Sequence, residues 1–246
     1  MEEKILKKDL NPNIHLGEEN MKSKNTDDVA FLTWSLPSQI TCPYATEMCK
    51  KRCFSKKREI FKNVRDSRQR NLQETKKNSF VEDMIKHLKY QLQRKKMKDK
   101  KIFVRIHTSG DFYNLDYLIK WTNITEHFKN NDKILFQAYT KSMPIIVQWL
   151  WREELSGIAE WDIPPIGGGK ILKDNINIHF VWSVWNDTPK EYAKHAEELG
   201  MQTFTALPKD KIEEAVNNGS FLCKGDCGNC KQCYTDKIKS IVIPYH

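Results

Sequence analysis

"KIFVRIHTSGDFYNLDYLIKWTNITEHF", residues 101–128, decides the fold. Its opening third is β-branched and aromatic and reads as a buried strand. A small polar turn, Thr-Ser-Gly-Asp, follows. From Asn114 the apolar positions Leu115, Leu118, Ile119, Trp121 and Ile124 recur at helical spacing. Strand, loop and amphipathic helix in that order make half of a crossover unit.

The same rhythm continues on both sides. Downstream come "KILFQAYTKS" (133–142), strand then loop, and "MPIIVQWLWREEL" (143–155), a helix whose Pro144 sits where a missing N–H costs little. After a glycine break, "PPIGGGK" (164–170), the pattern returns. "NIHFVWSVWNDT" and "MQTFTALPKD" are strands, and "PKEYAKHAEELG" and "KIEEAVNNG" are helices ended by Gly200 and Gly219. Upstream, "VAFLTWSLP" (29–37) is a strand stopped by proline, and "SFVEDMIKHLKYQLQRKK" (79–96) places Phe80, Met84, Ile85, Leu88 and Leu92 on one helical stripe. "IKSIVIPY" (238–245) can add one more strand. Strands alternating with helices predict an α/β fold with parallel pairing. About five or six strands are too few for a closed eightfold barrel, so an incomplete parallel β/α barrel is expected over residues 29–219. Residues 1–28 read as an irregular lead-in, and 220–246 as a cysteine-rich metal-binding segment.

The 246 residues carry a net charge of +9. Between Lys50 and Lys101 stand 20 Lys and Arg against 6 Asp and Glu, a local +14 that leaves the rest at −5. Such asymmetry suits a phosphate-rich partner, nucleic acid or nucleotide, although a solvated helical face gives the same count. No run approaches the length of a membrane span and the N-terminus has no apolar leader, so a cytoplasmic protein is expected. Seven cysteines in that compartment favour metal ligation over disulfides.

The cysteines divide three plus four. Cys42, Cys49 and Cys53 follow the first strand with spacing C-x6-C-x3-C. Cys223, Cys227, Cys230 and Cys233 stand at C-x3-C-x2-C-x2-C. Four thiolates saturate a zinc ion or an iron–sulfur cluster. Three thiolates on a 4Fe–4S cluster leave one iron open to an outside molecule, which makes the first set the reactive one. Three alternatives stand beside this. Cys223, Cys227 and Cys230 could be the reactive trio, one site could draw on both sets, or the first three could be incidental thiols.

In parallel α/β folds ligands sit at the carboxyl ends of strands. The polar residues there are Arg105, His107, Thr108, Ser109 and Asp111 after one strand, Tyr139, Thr140 and Ser142 after the next, and Ser183 and Asn186 after another. Arg105 and His107 alternate on one strand, are expected to face the same side, and are the candidate catalytic pair, for substrate anions or proton transfer, against the plainer reading of a buried, satisfied histidine and a salt-bridged arginine. Tyr139, Trp182 and Trp185 are candidates for lining a pocket, against the plainer reading of aromatic core.

"TWSLPSQITCPYATEMCKKRCF", "RIHTSGDF", "FQAYTKS" and the terminal cysteine set together resemble the phage gene-product-88 family, over roughly residues 30–234. Beyond it, the order of strand, three-cysteine loop, helix and strand ending in a small and acidic motif resembles the radical S-adenosylmethionine (SAM) superfamily. The C-x6-C-x3-C spacing differs from that superfamily's usual one. The resemblance implies a 4Fe–4S cluster on Cys42, Cys49 and Cys53 that binds SAM, and an electron donor to reduce it. It also implies Ser109, Gly110 and Asp111 as the motif that holds the SAM amino group. Tyr139, Ser142, Ser183 and Asn186 complete the expected cofactor-binding residues. The terminal cysteines would hold a second cluster or zinc. Two rivals remain: a non-catalytic zinc protein that binds nucleic acid, and an iron–sulfur enzyme that does not use SAM.

Overall fold

The computed structural model describes residues 4–18, 24–154, 177–235 and 237–245. The expected glycine break at 164–170 lies outside the described residues. Seven strands form one sheet: β1 Val29–Ser35, β2 Lys101–Ser109, β3 Ile134–Thr140, β4 His179–Val184, β5 Gln202–Leu207, β6 Phe221–Leu222 and β7 Ser240–Pro244. Their order is β1-β2-β3-β4-β5-β7-β6, and every neighbouring pair is parallel. The first five strands stand side by side in chain order. Right-handed crossovers between such neighbours put the connecting helices on one face of the sheet. The sheet stays open, with β1 and β6 at its edges, as an incomplete barrel requires.

The strand count exceeds the five or six expected because of β6, two residues long and directly before Cys223. A run so short leaves no alternation to read.

The helices are α1 Glu47–Lys51, α2 Phe54–Arg58, α3 Lys62–Thr75, α4 Phe80–Gln93, α5 Leu115–His127, α6 Met143–Glu154, α7 Lys190–Glu198, α8 Ile212–Asn217 and α9 Cys227–Cys230. The predicted stripe of α4 faces the sheet: Phe80, Met84 and Leu88 are fully buried, and Ile85 and Leu92 pack at its margin. There Phe80 meets Trp34 of β1 and Tyr117 and Trp121 of α5. The Trp34 indole N–H donates to the Tyr117 hydroxyl at 2.9 Å, which satisfies a polar group that burial would otherwise strand.

The other face of the sheet is covered from the C-terminus. Phe31 and Phe103 project there, and Tyr234 stacks on Phe103 with ring centroids 4.4 Å apart. Cys227 packs on the same group. The terminal cysteine segment thus occupies the face that a closed barrel would turn inward.

Candidate functional site

At the carboxyl edge the Ser-Gly-Asp turn after β2 joins three loops. Leu36 N–H donates to the Ser109 carbonyl at 2.9 Å and Asp111 N–H to the Thr41 carbonyl at 3.0 Å, tying the cysteine loop to β2. Gly110 has φ +85°, and a Cβ there would lie 2.6 Å from Thr41 Oγ1 and 2.7 Å from Leu36 Cβ. Glycine is therefore required for this close approach. The Asp111 carboxylate accepts from Thr140 Oγ1 at 2.7 Å and from the backbone N–H groups of Phe112 and Lys141, both at 2.8 Å. Burial pushes its pKa up, while these donors and the Lys141 charge oppose that. Three of about four acceptor positions on the carboxylate are thus taken by the protein itself. Ser142 is also enclosed, donating to the Phe112 carbonyl at 2.7 Å.

The three N-terminal thiols gather beside this turn. Cys42 follows a tight turn closed by its own N–H to the Gln39 carbonyl. Cys49 lies in α1, whose N-cap Thr46 accepts from the Cys49 N–H at 3.3 Å. Cys53 is the N-cap of α2. Cys42 and Cys49 interact electrostatically, as do Cys49 and Cys53. Lys141, at the end of β3, donates to Ser183 Oγ at 2.8 Å and to the Cys49 sulfur. Burial pushes the Cys42 thiol up to about 12, reinforced by the Asp111 charge and opposed by Lys141. Burial raises Cys49 too, again against Lys141. Both are therefore thiols at neutral pH, and ligation would release their protons.

The loop is pinned from β4 and from the C-terminus. Met48 N–H donates to Asp187 Oδ2 at 2.8 Å. The Arg52 guanidinium lies 4.3 Å over the Tyr245 ring, which stacks on Trp185 at 5.8 Å. Asn186 is exposed in the turn between them.

The four C-terminal cysteines line one pocket with Tyr139 and Tyr234. Asp226 caps the α9 turn, and Lys231, at φ 56°, reverses the chain so that Cys233 returns to the pocket. Gly228 passes so close to the Lys24 carbonyl that a Cβ would lie 2.7 Å away. Burial raises Cys233 to about 12, opposed by the Tyr139 hydroxyl and reinforced by Cys223 and Cys227. The thiol couplings thus run within each set, which favours two sites over one shared site. None of the seven cysteines is in a disulfide. Among the described residues, no three His, Cys, Asp or Glu side chains converge closely enough to hold a single metal ion.

Arg105 and His107 do not face the same side. The Arg105 guanidinium stacks 4.5 Å over Tyr139, beside the terminal cysteines. His107 adopts φ 65° where the β1–β2 register slips between Thr33 and Ser35, and this turns its ring into the helix-side core. There its Nε2 meets the Tyr117 hydroxyl at 3.0 Å and its ring packs on Phe112 at 4.5 Å. The left-handed backbone breaks the alternation that the strand pattern implied. Tyr139 belongs to the terminal pocket, and Trp182 is core, 1% exposed.

Burial lowers the His107 pKa to about 3. The unfolded chain takes up this proton near pH 6.5 and the folded chain does not, so stability falls as pH drops from about 6.5 toward 3. His107→Gln is expected to flatten that acid limb by about 1.4 kcal/mol per pH unit between pH 6 and 4, read from urea midpoints. An unchanged limb would contradict the burial.

Lys141 was not among the residues read from sequence, although it stands between Thr140 and Ser142, which were. A lysine in a strand-end loop carries no signal until the fold places it against a cysteine.

An open parallel sheet with a thiol-bearing loop on its carboxyl edge defines an α/β protein whose strand-end loops after β1–β4 gather on that edge. A family model described as Gene product 88 matches residues 5–236, and the chain belongs to that family. No curated protein and no solved structure matches it. No helix among the described residues is long and apolar enough to cross a membrane.

Proposed function

We propose that the chain is an iron–sulfur enzyme of radical SAM type. Cys42, Cys49 and Cys53 would hold a 4Fe–4S cluster, and Cys223, Cys227, Cys230 and Cys233 an auxiliary cluster or zinc. When bound and reduced, the first cluster would supply an electron that cleaves SAM and starts hydrogen abstraction from a substrate. The observation that carries this reading is the gathering of three free thiols at the carboxyl edge of β1–β4, apart from the four in the terminal pocket.

The chain's own groups then have distinct tasks. Lys141, steadied by Ser183, offers an ammonium beside Cys49 to an anionic group such as a carboxylate. Asp111 holds the loops of β2 and β3 in register and keeps one acceptor position for an ammonium. Gly110 keeps the cysteine loop close to β2. Arg105 and Tyr139 stand by the terminal set and orient its thiols. The exposed basic residues after Cys49 make nucleic acid or a nucleotide the first substrate class, and they equally favour the second reading, a zinc protein that only binds nucleic acid.

Anaerobic reconstitution with iron and sulfide, then dithionite and SAM, is expected to yield 5′-deoxyadenosine. A colourless protein that retains zinc and forms none would favour the second reading.

A further inference from the structure

Seven large apolar side chains among the described residues are exposed, and four of them cluster beside the cysteine trio: Ile40 at 74%, Phe54 at 64%, Ile60 at 74% and Phe61 at 53%. Hydrogen bonds from Gln39 to the Lys50 carbonyl and from the Ser38 N–H to Glu59 hold the Ile40 loop against the same segment. Between these side chains stand Lys51, Lys56, Lys57, Arg58, Lys62 and Arg65, all exposed. Glu59 is the one carboxylate from Met48 to Arg65 and is engaged by Arg68 at 3.0 Å, the Ser38 N–H at 2.6 Å and Lys56 at 3.8 Å; Asp66, next in α3, pairs with Lys62 at 2.5 Å, and the six exposed cations still outnumber these two carboxylates. The surface is therefore cationic with flat apolar groups interleaved.

We propose that this surface, α2 and the start of α3, grips single-stranded nucleic acid, with Phe54 and Phe61 as stacking platforms and the cations on phosphates. A single strand alternates anionic phosphates with exposed flat bases, which matches the alternation here. A duplex hides its base faces. An acyl layer needs one continuous apolar face, whereas α2 follows Phe54 and Ser55 with three consecutive cations. A second copy of the chain would bring cation against cation. Because Cys53 caps the helix that Phe54 begins, a strand lying here runs past the thiol trio. The inference names the substrate class of the site proposed above and rests on that reading for the substrate role; the binding itself needs no cluster.

The test is fluorescence anisotropy of a labelled 20-nucleotide mixed-sequence DNA strand with the full chain across a salt series. Binding is expected to weaken with salt, and the matching duplex to bind at least about tenfold more weakly. Phe54→Ala with Phe61→Ala is expected to cost at least about 25-fold at an unchanged salt slope. Lys57→Glu with Arg58→Glu is expected to reduce the slope by about 1.4. Both aromatic sites are exposed, so circular dichroism should match the parent.

Equal binding of duplex and single strand, or indifference to the phenylalanine exchanges, would overturn the interface. So would binding only to phosphatidylserine vesicles, or self-association lost on the same exchanges. The two proposals fail separately. Strand binding without 5′-deoxyadenosine from reconstituted protein removes the enzyme and leaves the interface. Deoxyadenosine without strand binding does the reverse.

Discussion

Exchanging Cys42, Cys49 and Cys53 together for alanine is expected to abolish 5′-deoxyadenosine formation and to remove one cluster's worth of iron. Exchanging the four terminal cysteines leaves the trio's iron and its response to SAM in place. The asymmetry follows from geometry. The trio lies at the carboxyl edge, where Lys141, held by Ser183, reaches Cys49, whereas the terminal set lies against the other face of the sheet with Tyr139 and Tyr234. Iron and sulfide analysis beside the product assay reads both effects. Loss of product from the terminal exchange, with product kept in the trio exchange, would reverse the assignment and make Cys223, Cys227 and Cys230 the reactive set.

The second large effect concerns Lys141. Its ammonium stands against Cys49 and is held by Ser183, so an anionic ligand entering at the trio would meet this charge first. A charge-assisted hydrogen bond contributes about 1.5–3 kcal/mol, and Lys141→Met is expected to raise KM for SAM by about 10–150-fold with iron content unchanged. A second readout needs no cluster. The ammonium favours the Cys49 thiolate, so its removal should leave less thiolate and slow iodoacetamide labelling of Cys49 in the metal-free protein at pH 8. Lys141→Arg should restore the labelling rate more fully than the KM. Unchanged KM and unchanged labelling would exclude Lys141 from the site.

Much of the frame was legible in the sequence because strands and helices here keep clean periods. The stripe of α4 and the runs at Val29, Ile102 and Ile134 each bury one consistent set of residues. The loop residues of the Ser-Gly-Asp turn were legible as strand-end chemistry, but not their use: Asp111 spends most of its acceptors on neighbouring loops. His107 was misplaced because a left-handed residue without glycine leaves no mark in a strand pattern. Nothing in the sequence pattern sets Phe54, Ile60 and Phe61 apart, and only the fold shows that they face outward. Lys141 acquires meaning solely from the parallel pairing of β3 with β4, which brings it to Ser183.

The central claim is that three N-terminal thiolates leave one iron available to an outside ligand. Mössbauer spectroscopy of iron-57-reconstituted protein, in a form lacking the four terminal cysteines, tests it most directly. The account predicts one distinct iron site whose parameters shift when SAM is added, with the remaining irons unchanged. Irons that are all insensitive to SAM, or a protein that takes up zinc at the trio and no iron, would contradict it.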